Sequence, residues 1–285
     1  MYQKIIKEHF QQLSKGQKKV ANYILESPHD VALKSAQEIG ELVGVSETTV
    51  IRFCYAIEMS GYSELQLIIR SFLMYKKSSL GNYLASKVEI EADDIFHEKV
   101  MKNDAKKIQT VSERLNPDDF QMSCKCLHEA KKIYVLGLRS SFAAARWLGF
   151  TLNVLRSNIH MIEPQSQDII QLLSHMQEGE VLVVLSFHRY YKETIYLTNM
   201  IKKKGVTIIG ISDAQIAPLY RYSDYYFPLA TAETSTIDIM PTVISFLNTL
   251  VSGMTVQAPE QYEAYKAQYD SVDSSFLFLD GDDLE

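Results

Sequence analysis

Two polar segments of the sequence contain residue types that can hold an anion. The segment 137–141 (Gly-Leu-Arg-Ser-Ser) follows an apolar run and opens a helical pattern, and the segment 186–194 has the same position after a later apolar run. Backbone N–H groups at a helix start, short hydroxyls and guanidinium groups all bind the oxygens of a small phosphorylated molecule. The other interpretation is that the serines cap helices and the arginines pair with nearby acids. The candidate ligand-binding residues are Arg139, Ser140, Ser141, Ser186, His188, Arg189 and Glu233.

A second set of residues has the types and spacing of a DNA-binding surface. Two short helical patterns meet at Gly44, which permits the tight turn of a helix-turn-helix. The outward face of the second pattern is formed by Thr48, Arg52, Tyr55 and Met59. Hydroxyl and guanidinium groups at these positions can bond phosphate oxygens or base edges, although a plain helical bundle would show the same spacing. The candidate DNA-binding residues are Lys18, Lys19, Ser46, Glu47, Thr48, Thr49, Arg52 and Tyr55.

The elements that must position these residues change in type along the chain. Up to about residue 77 the apolar spacing is helical throughout, and Ser14, Ser35 and Ser46 stand where helix N-caps belong. From about residue 118 helical patterns alternate with short apolar runs, which predicts a parallel sheet covered by helices on both faces. The runs predicted as strands are 133–137, 159–162, 181–185, 206–211 and 225–229, and the helical patterns between the first four are near 141–156, 166–176 and 192–204.

We therefore predict an all-α helix-turn-helix domain followed by an α/β domain with a five-stranded, parallel, doubly wound sheet of the flavodoxin-like kind. Such sheets bind ligands beyond the carboxyl ends of their strands. The predicted domains are a helix-turn-helix domain at 1–77, a linker at 78–105, the sheet domain at 106–256 and an acidic, aromatic tail at 257–285.

The tail contains an aromatic stripe with two interpretations. Tyr262, Tyr265 and Tyr269 share one face of a helical pattern. The stripe either packs back on the sheet domain or contacts another subunit, since exposed aromatic stripes seldom stay exposed. We expect residues 280–285 to be disordered.

Composition excludes several classes of protein. The chain has 285 residues, 46% of them hydrophobic and 22% charged, with a formal net charge of −6. Three cysteines are too few for a disulfide framework, the first residues lack the features of a signal peptide, and no uncharged apolar run approaches the ~18–20 residues of a membrane span. We expect a soluble, cytoplasmic protein. Residues 1–77 carry ten Lys/Arg and eight Asp/Glu, a net charge of +2, which suits a small anion-binding module.

Three motifs follow one another in the helical part of the chain. They are Leu-Ser-x-Gly-Gln-x-x-Val-Ala-x-Tyr-Ile at 13–24, Ile-Gly-x-x-x-Gly-Val-Ser-x-x-Thr-Val-x-Arg-Phe-Cys at 39–54 and Gly-Tyr-x-Glu-Leu at 61–65. Together they resemble the RpiR family of bacterial transcriptional regulators. That family often has a basic pair and then Leu-Gly after the cysteine, where this chain has Tyr-Ala-Ile-Glu at 55–58. Fewer cations weaken DNA binding by one module, so the resemblance implies a homodimer or homotetramer on a two-part operator.

The segment from about 106 to 256 resembles the SIS (sugar isomerase) domain, which binds phosphosugars and usually follows the helix-turn-helix domain in RpiR regulators. The family's Gly-x-Gly-x-Ser maps on 137–141, with Arg139 in place of the second glycine. Its Ser-x-Ser-Gly-x-Thr maps on 186–191, where only the first serine remains and Arg189 replaces the glycine. Either the two guanidinium groups now hold the phosphate, which their geometry allows, or the ligand is different or absent. We favour a retained anion site.

Other residue types could support different chemistry, but none has diagnostic spacing. Glu233, His188 and His160 are the candidates for the proton transfers of an aldose–ketose isomerase. Cys124 and His128 are four residues apart on a helix, yet no second ligand cluster accompanies them, so core packing explains them better than a metal. We predict no catalytic residue, no metal site and no cofactor.

The sequence therefore predicts a bacterial DNA-binding transcriptional regulator, not an enzyme, whose activity is controlled by a phosphorylated sugar. Its partners would be double-stranded operator DNA, the sugar effector and further copies of the chain, with no membrane. Two alternatives stay open. One is a ligand-independent regulator with a degenerate SIS domain, and the other is a phosphosugar isomerase.

Overall fold

The chain folds into two compact units, residues 1–81 and 82–285. The computed structural model describes residues 2–75, 83–84, 87, 94–165, 168–230, 235 and 237–272. The expected linker spans 78–105, and most of its first half lies outside the described residues. The last part of this linker belongs to a regular helix that begins at Phe96.

The first unit is helical over its described residues, as the apolar spacing predicts. Its core is formed by the apolar stripes of the helices, and Ile24, Ile39 and Phe53 are fully buried there. Because each stripe recurs at helical spacing, every helix contributes one face to this core. The helices are α1 (Tyr2–His9), α2 (Lys15–Glu26), α3 (Pro28–Leu33), α4 (Ala36–Val43), α5 (Glu47–Ala56) and α6 (Tyr62–Tyr75).

The second unit is built on a parallel sheet, and the predicted fold class is confirmed. Its strands are β1 (Ile133–Gly137), β2 (Ile159–Met161), β3 (Val181–Ser186), β4 (Thr207–Ser212) and β5 (Tyr225–Pro228). Their order in the sheet is β2-β1-β3-β4-β5, which is the flavodoxin-like order of a doubly wound sheet. The helices of this unit are α7 (Phe96–Ser112), α8 (Pro117–Glu129), α9 (Phe142–Leu155), α10 (Ile169–His175), α11 (Lys192–Lys202), α12 (Met240–Thr255) and α13 (Pro259–Asp270).

Two apolar cores cover the two faces of the sheet. Ile133 and Val135 of β1 belong to the core that contains residues of α8, α9, α12 and α13. Tyr134 and Leu136 point to the opposite core, which contains residues of α10 and α11. Every residue of β1 and β3 is buried, which is why their sequences are continuous apolar runs rather than alternating ones.

The strand order reverses between β1 and β3, because the chain passes from β1 outward to β2 and then returns to the other side of β1. Gly137 at the end of β1 pairs in register with Leu185 near the end of β3. The chain segments that follow these strands therefore leave the sheet side by side. Doubly wound sheets bind ligands in the crevice at this reversal.

The tail helix α13 packs on the sheet domain through part of its aromatic stripe. Tyr262 is buried in the core, its hydroxyl lies 3.0 Å from Nδ1 of His128, and Tyr265 packs against the same core. Tyr269 stays about half exposed. The first interpretation of the stripe thus holds for two of its three residues, and the predicted disorder at 280–285 lies outside the described residues.

Cys124 and His128 have separate roles in this packing. The thiol of Cys124 is buried and points to the carbonyl oxygen of Leu250, and burial raises the pKa of this thiol to about 11. A thiol with a raised pKa stays protonated, and metals bind the thiolate. In the ranges that the structure describes, no group of three or more His, Cys, Asp or Glu side chains is arranged to hold a metal ion.

No helix within the described residues combines the length and the hydropathy that a membrane span requires.

Candidate functional site

The turn between α4 and α5 depends on two glycines. Gly44 ends α4 in the left-handed conformation, with a φ of 70°. Gly40 lets the turn approach the helix, since a Cβ atom there would lie 2.9 Å from the carbonyl oxygen of Val45. Ser46 then caps α5, because its Oγ accepts a hydrogen bond of 3.3 Å from the backbone N–H of Thr49. The local sequence therefore fixes the direction in which α5 leaves the turn.

The outward face of α5 largely matches the prediction. Thr48, Arg52 and Tyr55 are exposed beside Glu47, while the opposite side of the helix is buried. The prediction for Met59 is wrong, since this residue is only 5% exposed. Helix α5 ends at Ala56, and the chain turns back beyond it, so a spacing of eleven residues no longer returns to the same face.

Helix α2 lies against α5 and contains Lys18 and Lys19, two of the predicted DNA-binding residues. Gln17 donates a hydrogen bond of 3.2 Å to the carbonyl oxygen of Arg52. Thr49 is half-buried at this contact, and its methyl group lies close to Gly16. A Cβ atom at position 16 would be only 3.2 Å from that methyl group. Lys19 is exposed, whereas Lys18 is half-buried with its Nζ 5.6 Å from the centre of the Phe10 ring.

A small cleft opens at the carboxyl ends of β1 and β3. It encloses about 190 Å³ of space between atoms, part of it open to solvent. The cleft lies at the reversal of the strand order, where the segments 138–141 and 186–194 run beside each other. It is lined by Leu138, Arg139, Ser140, Ser141, Ser186, Phe187, Arg189, Tyr191 and Thr194.

Both arginines of the cleft adopt a backbone conformation that favours glycine. The φ of Arg139 is 57° and that of Arg189 is 61°. A side chain with a Cβ atom costs roughly 1–2 kcal/mol in this left-handed region. At both of these positions the SIS pattern has glycine, so the backbone keeps the shape of the pattern while the side chains differ.

The guanidinium groups of the cleft have no acidic partner among the described residues. Neither Arg139 nor Arg189 forms an ion pair within these ranges. The guanidinium of Arg139 lies 5.9 Å from the centre of the Tyr191 ring and so links the two segments. Within the described ranges these two positive groups contribute a positive potential to the cleft.

Three buried hydroxyls face the same space. Ser141, Ser186 and Thr194 are 2%, 3% and 1% exposed, and in the part of the chain that the structure describes their hydroxyls make no hydrogen bond. The residues are buried, but their hydroxyl oxygens are open to the cleft. Acceptor oxygens of a bound molecule would satisfy all three hydroxyls.

Two helices begin at the cleft without side-chain caps. The N-cap residue of α9 is Ser141 and that of α11 is Tyr191, and neither side chain bonds the first turn of its helix. The first backbone N–H groups of α11 lack an intrahelical partner, whereas Phe142 at the start of α9 donates its N–H to the carbonyl oxygen of Arg139. The helix dipoles favour negative charge at both starts. Hydroxyls, guanidinium groups and helix N-termini thus converge on one small cleft.

The structure brings together most of the predicted ligand-binding residues. Five of the seven line the cleft: Arg139, Ser140, Ser141, Ser186 and Arg189. His188 does not line it, because its ring lies beside that of Tyr190, with the ring centres 6.2 Å apart. Glu233 lies outside the described residues. Sequence reasoning missed Tyr191 and Thr194, although the position of Thr194 in the first turn of α11 was a signal that could have found it.

The candidates for proton transfer are not brought together in the described ranges. His160 is exposed on the edge strand β2 and pairs in register with Tyr134, in the middle of β1 rather than at its carboxyl end. The backbone N–H of His188 is bonded to Asp213. Neither of the two described candidates, His160 and His188, is therefore among the residues that line the cleft.

A helix-turn-helix unit followed by a doubly wound sheet with a cleft at its strand reversal defines a class of protein, in which a DNA-binding module is joined to a small-molecule domain. The helix-turn-helix domain model of the RpiR family matches residues 1–74, and the SIS domain model matches residues 126–257. Together they cover well over half of the chain. The chain belongs to the RpiR family of helix-turn-helix transcriptional regulators and carries a SIS domain.

Two transcriptional regulators that are similar to this chain over most of their length support this assignment. The HTH-type transcriptional regulator HexR of Pseudomonas aeruginosa is 24% identical over 266 residues, which are 91% of each chain. HexR of Escherichia coli is 26% identical over 264 residues, 88% of this chain and 87% of the relative. The structure of the Vibrio vulnificus NanR protein complexed with ManNAc-6P has a TM-score of 0.61 at 18% identity, and the alignment covers 96% of this chain and 98% of that chain.

A second solved structure is similar to the sheet domain. It is the sugar isomerase domain of an RpiR transcription factor from Sphaerobacter thermophilus, with a TM-score of 0.57 at 20% identity, covering 63% of this chain and all of that chain (100%). At such identities the likeness concerns the fold.

Proposed function

We propose that this RpiR-family regulator binds operator DNA through α5 and that a phosphorylated sugar in the cleft controls this binding. The observation that carries the proposal is the convergence on the cleft of two helix N-termini without side-chain caps, with two guanidinium groups and three hydroxyls that have no partner among the described residues. This donor set fits a phosphate group. The structure of the NanR relative is complexed with ManNAc-6P, which supports a sugar phosphate as the effector.

The chain would act without catalysing a reaction, in the cytoplasm, as a homodimer or homotetramer. Regulators that bind two half-sites about 34–36 Å apart respond to small changes in the spacing of their recognition helices. A sugar phosphate that alters how the sheet domains pair would therefore change DNA affinity. By thermodynamic linkage, operator binding must change the affinity for the sugar phosphate by the same factor.

The first test is thermal unfolding with a panel of hexose and amino-sugar phosphates that includes ManNAc-6P, each beside its unphosphorylated parent. A ligand at ~100 times its Kd stabilises the native state by about 2.7 kcal/mol. We expect one sugar phosphate to raise the melting temperature while its parent does not. No response to any compound would favour a regulator without a sugar effector, and conversion of a compound during incubation would favour an isomerase.

Replacing Arg52 by alanine is expected to weaken specific DNA binding by ~1–3 kcal/mol and to relax the preference for one base, because an exposed arginine on α5 can bond a guanine edge. DNA selected by the wild-type chain from a random pool serves as the operator, and binding is measured to it and to single-base variants.

The matched control is Lys19→Ala on α2. Loss of this exposed cation is expected to weaken binding to all sequences alike and to reduce the salt dependence by about one counterion. If the Arg52→Ala chain keeps the wild-type ranking of the operator variants, Arg52 does not read a base.

A further inference from the structure

The carboxylate of Asp213 is bound to the chain segment that follows β3. The backbone N–H of His188 donates a hydrogen bond of 2.9 Å to Oδ2, and the hydroxyl of Tyr190 donates one of 2.9 Å to Oδ1. These two donors belong to the residues immediately before and after Arg189. Each carboxylate oxygen thus holds one neighbour of a residue whose backbone is strained.

The carboxylate is itself fixed by the end of the sheet. Ser186 and Ser212 are the last paired residues of β3 and β4. The hydroxyl of Ser212 donates a hydrogen bond of 2.5 Å to the carbonyl oxygen of Ser186, and it lies 3.3 Å from Oδ1 of Asp213. The two hydrogen bonds that Asp213 accepts from the segment 188–190, called the clamp below, are therefore anchored at the paired ends of β3 and β4.

The burial of this cluster shows that it is not a solvated surface contact. Burial raises the pKa of Asp213 above its usual range, although the hydrogen bonds from Tyr190 and from the backbone of His188 act in the opposite direction. Burial also raises the pKa of Tyr190. A buried carboxylate needs such partners, because without them burial would leave its oxygens unsatisfied.

The hydrogen bonds of Asp213 oppose the strain at Arg189. Arginine in the left-handed region is strained, and the strain would be relieved if the segment relaxed to a negative φ. Such a change would rotate the side chain of Arg189 away from its present direction. Two hydrogen bonds that flank the strained residue hinder this relaxation.

We infer that Asp213 is a positioning residue of the anion cleft, which holds the segment 188–190 so that the guanidinium of Arg189 stays at the site of the bound anion. Asp213 is absent from the cleft lining, so it acts through Arg189 rather than by contact with the anion. The inference rests on the proposed function, because it assumes that the cleft binds phosphate.

The test is the binding of inorganic phosphate to the full chain, measured by titration calorimetry at constant ionic strength. In Asp213→Asn the amide oxygen can still accept from His188, but the amide nitrogen cannot accept from the tyrosine hydroxyl. We expect phosphate binding to weaken about 10-fold, which corresponds to ~1.4 kcal/mol. Tyr190→Phe removes one of the two bonds and keeps the ring, so a smaller loss of about 3-fold is expected even if the first variant folds poorly.

The matched control is Asp224→Asn. Asp224 also accepts a hydrogen bond from a backbone N–H, that of Ile208, at 2.8 Å, but it lies at the opposite end of β4 from the cleft. Loss of this carboxylate is expected to leave phosphate binding unchanged. A loss as large as that in Asp213→Asn would mean a general weakening of the domain and would overturn the inference.

A double-mutant cycle tests the route through Arg189. In a chain that already carries Arg189→Ala, the further change Asp213→Asn is expected to have no effect on phosphate binding, since the group that it positions is gone. An undiminished effect in that background, or wild-type affinity in both Asp213→Asn and Tyr190→Phe, overturns the inference and leaves the cleft intact. A wild-type chain that binds no phosphate overturns the proposed function itself.

Discussion

Replacing Arg189 by glycine is expected to stabilise the sheet domain and at the same time to weaken its binding of phosphate. Glycine adopts the observed φ of 61° without strain. After allowance for the freedom of glycine in the unfolded chain, the gain in the free energy of unfolding is about 1 kcal/mol. Loss of a charge-assisted hydrogen bond of ~1.5–3 kcal/mol weakens phosphate binding about 10- to 100-fold. Urea unfolding and calorimetric titration measure the two effects separately.

Arg189→Ala is the control that separates backbone from side chain. Alanine removes the guanidinium but keeps the Cβ atom, so phosphate binding is expected to fall as in the glycine variant without the gain in stability. Asn158, with a φ of 64°, is left-handed but is not among the residues that line the cleft, and Asn158→Gly is expected to leave phosphate binding unchanged. Equal stability of the glycine and alanine variants at position 189 would contradict the strain, and wild-type phosphate binding in both would exclude the guanidinium from the site.

Replacing Gly137 by alanine is expected to destabilise the sheet domain by about 3 kcal/mol, near the upper end of the usual effect of overpacking. A Cβ atom at this position would lie 2.6 Å from the Cβ of Ala145 and 2.8 Å from the carbonyl oxygen of Ser141. Helix α9 must move away from β1 to make room, and its first turn forms one side of the cleft. Phosphate binding should therefore fall together with the melting temperature, by about 6–12 °C for a domain of this size.

A second substitution identifies the contact that matters. Ala145→Gly removes the side-chain contact but leaves the carbonyl oxygen of Ser141 in place, so it is expected to restore only part of the lost stability. Full restoration by Ala145→Gly would show that the backbone contact is harmless. Unchanged stability in Gly137→Ala alone would contradict the close approach of α9 and β1.

Most of the fold could be predicted because its signals are local. The apolar runs of β1 and β3 are buried on both faces, so each stands out in the sequence without knowledge of its neighbours. The caps at Ser35 and Ser46 need only the next three residues, and the turn at Gly44 needs one glycine. Local signals also predicted where the cleft lies, since the reversal of a doubly wound sheet fixes which strand ends are neighbours.

The parts that could not be predicted depend on contacts between distant segments. The bond between Asp213 and His188 joins residues that are 25 positions apart, and it exists because the register of β3 and β4 brings their ends together. Through this bond the backbone N–H of His188 already has an acceptor within the chain. Met59 was placed wrongly for a related reason. Glu58 adopts a φ of 62°, so the chain changes direction after α5 and Met59 is buried instead of exposed. A helical spacing cannot show where the helix stops.

The left-handed arginines also have a consequence for how this gene can change. Codons for arginine and glycine can differ by a single base, so a strain-relieving glycine at position 139 or 189 lies within one point mutation of many arginine codons. Because such a change would make the protein more stable, only selection for the response to the effector opposes it. In a lineage that no longer needs the response, glycine at these positions is an early change to expect, and the protein would stay folded and bind DNA while it ceased to sense.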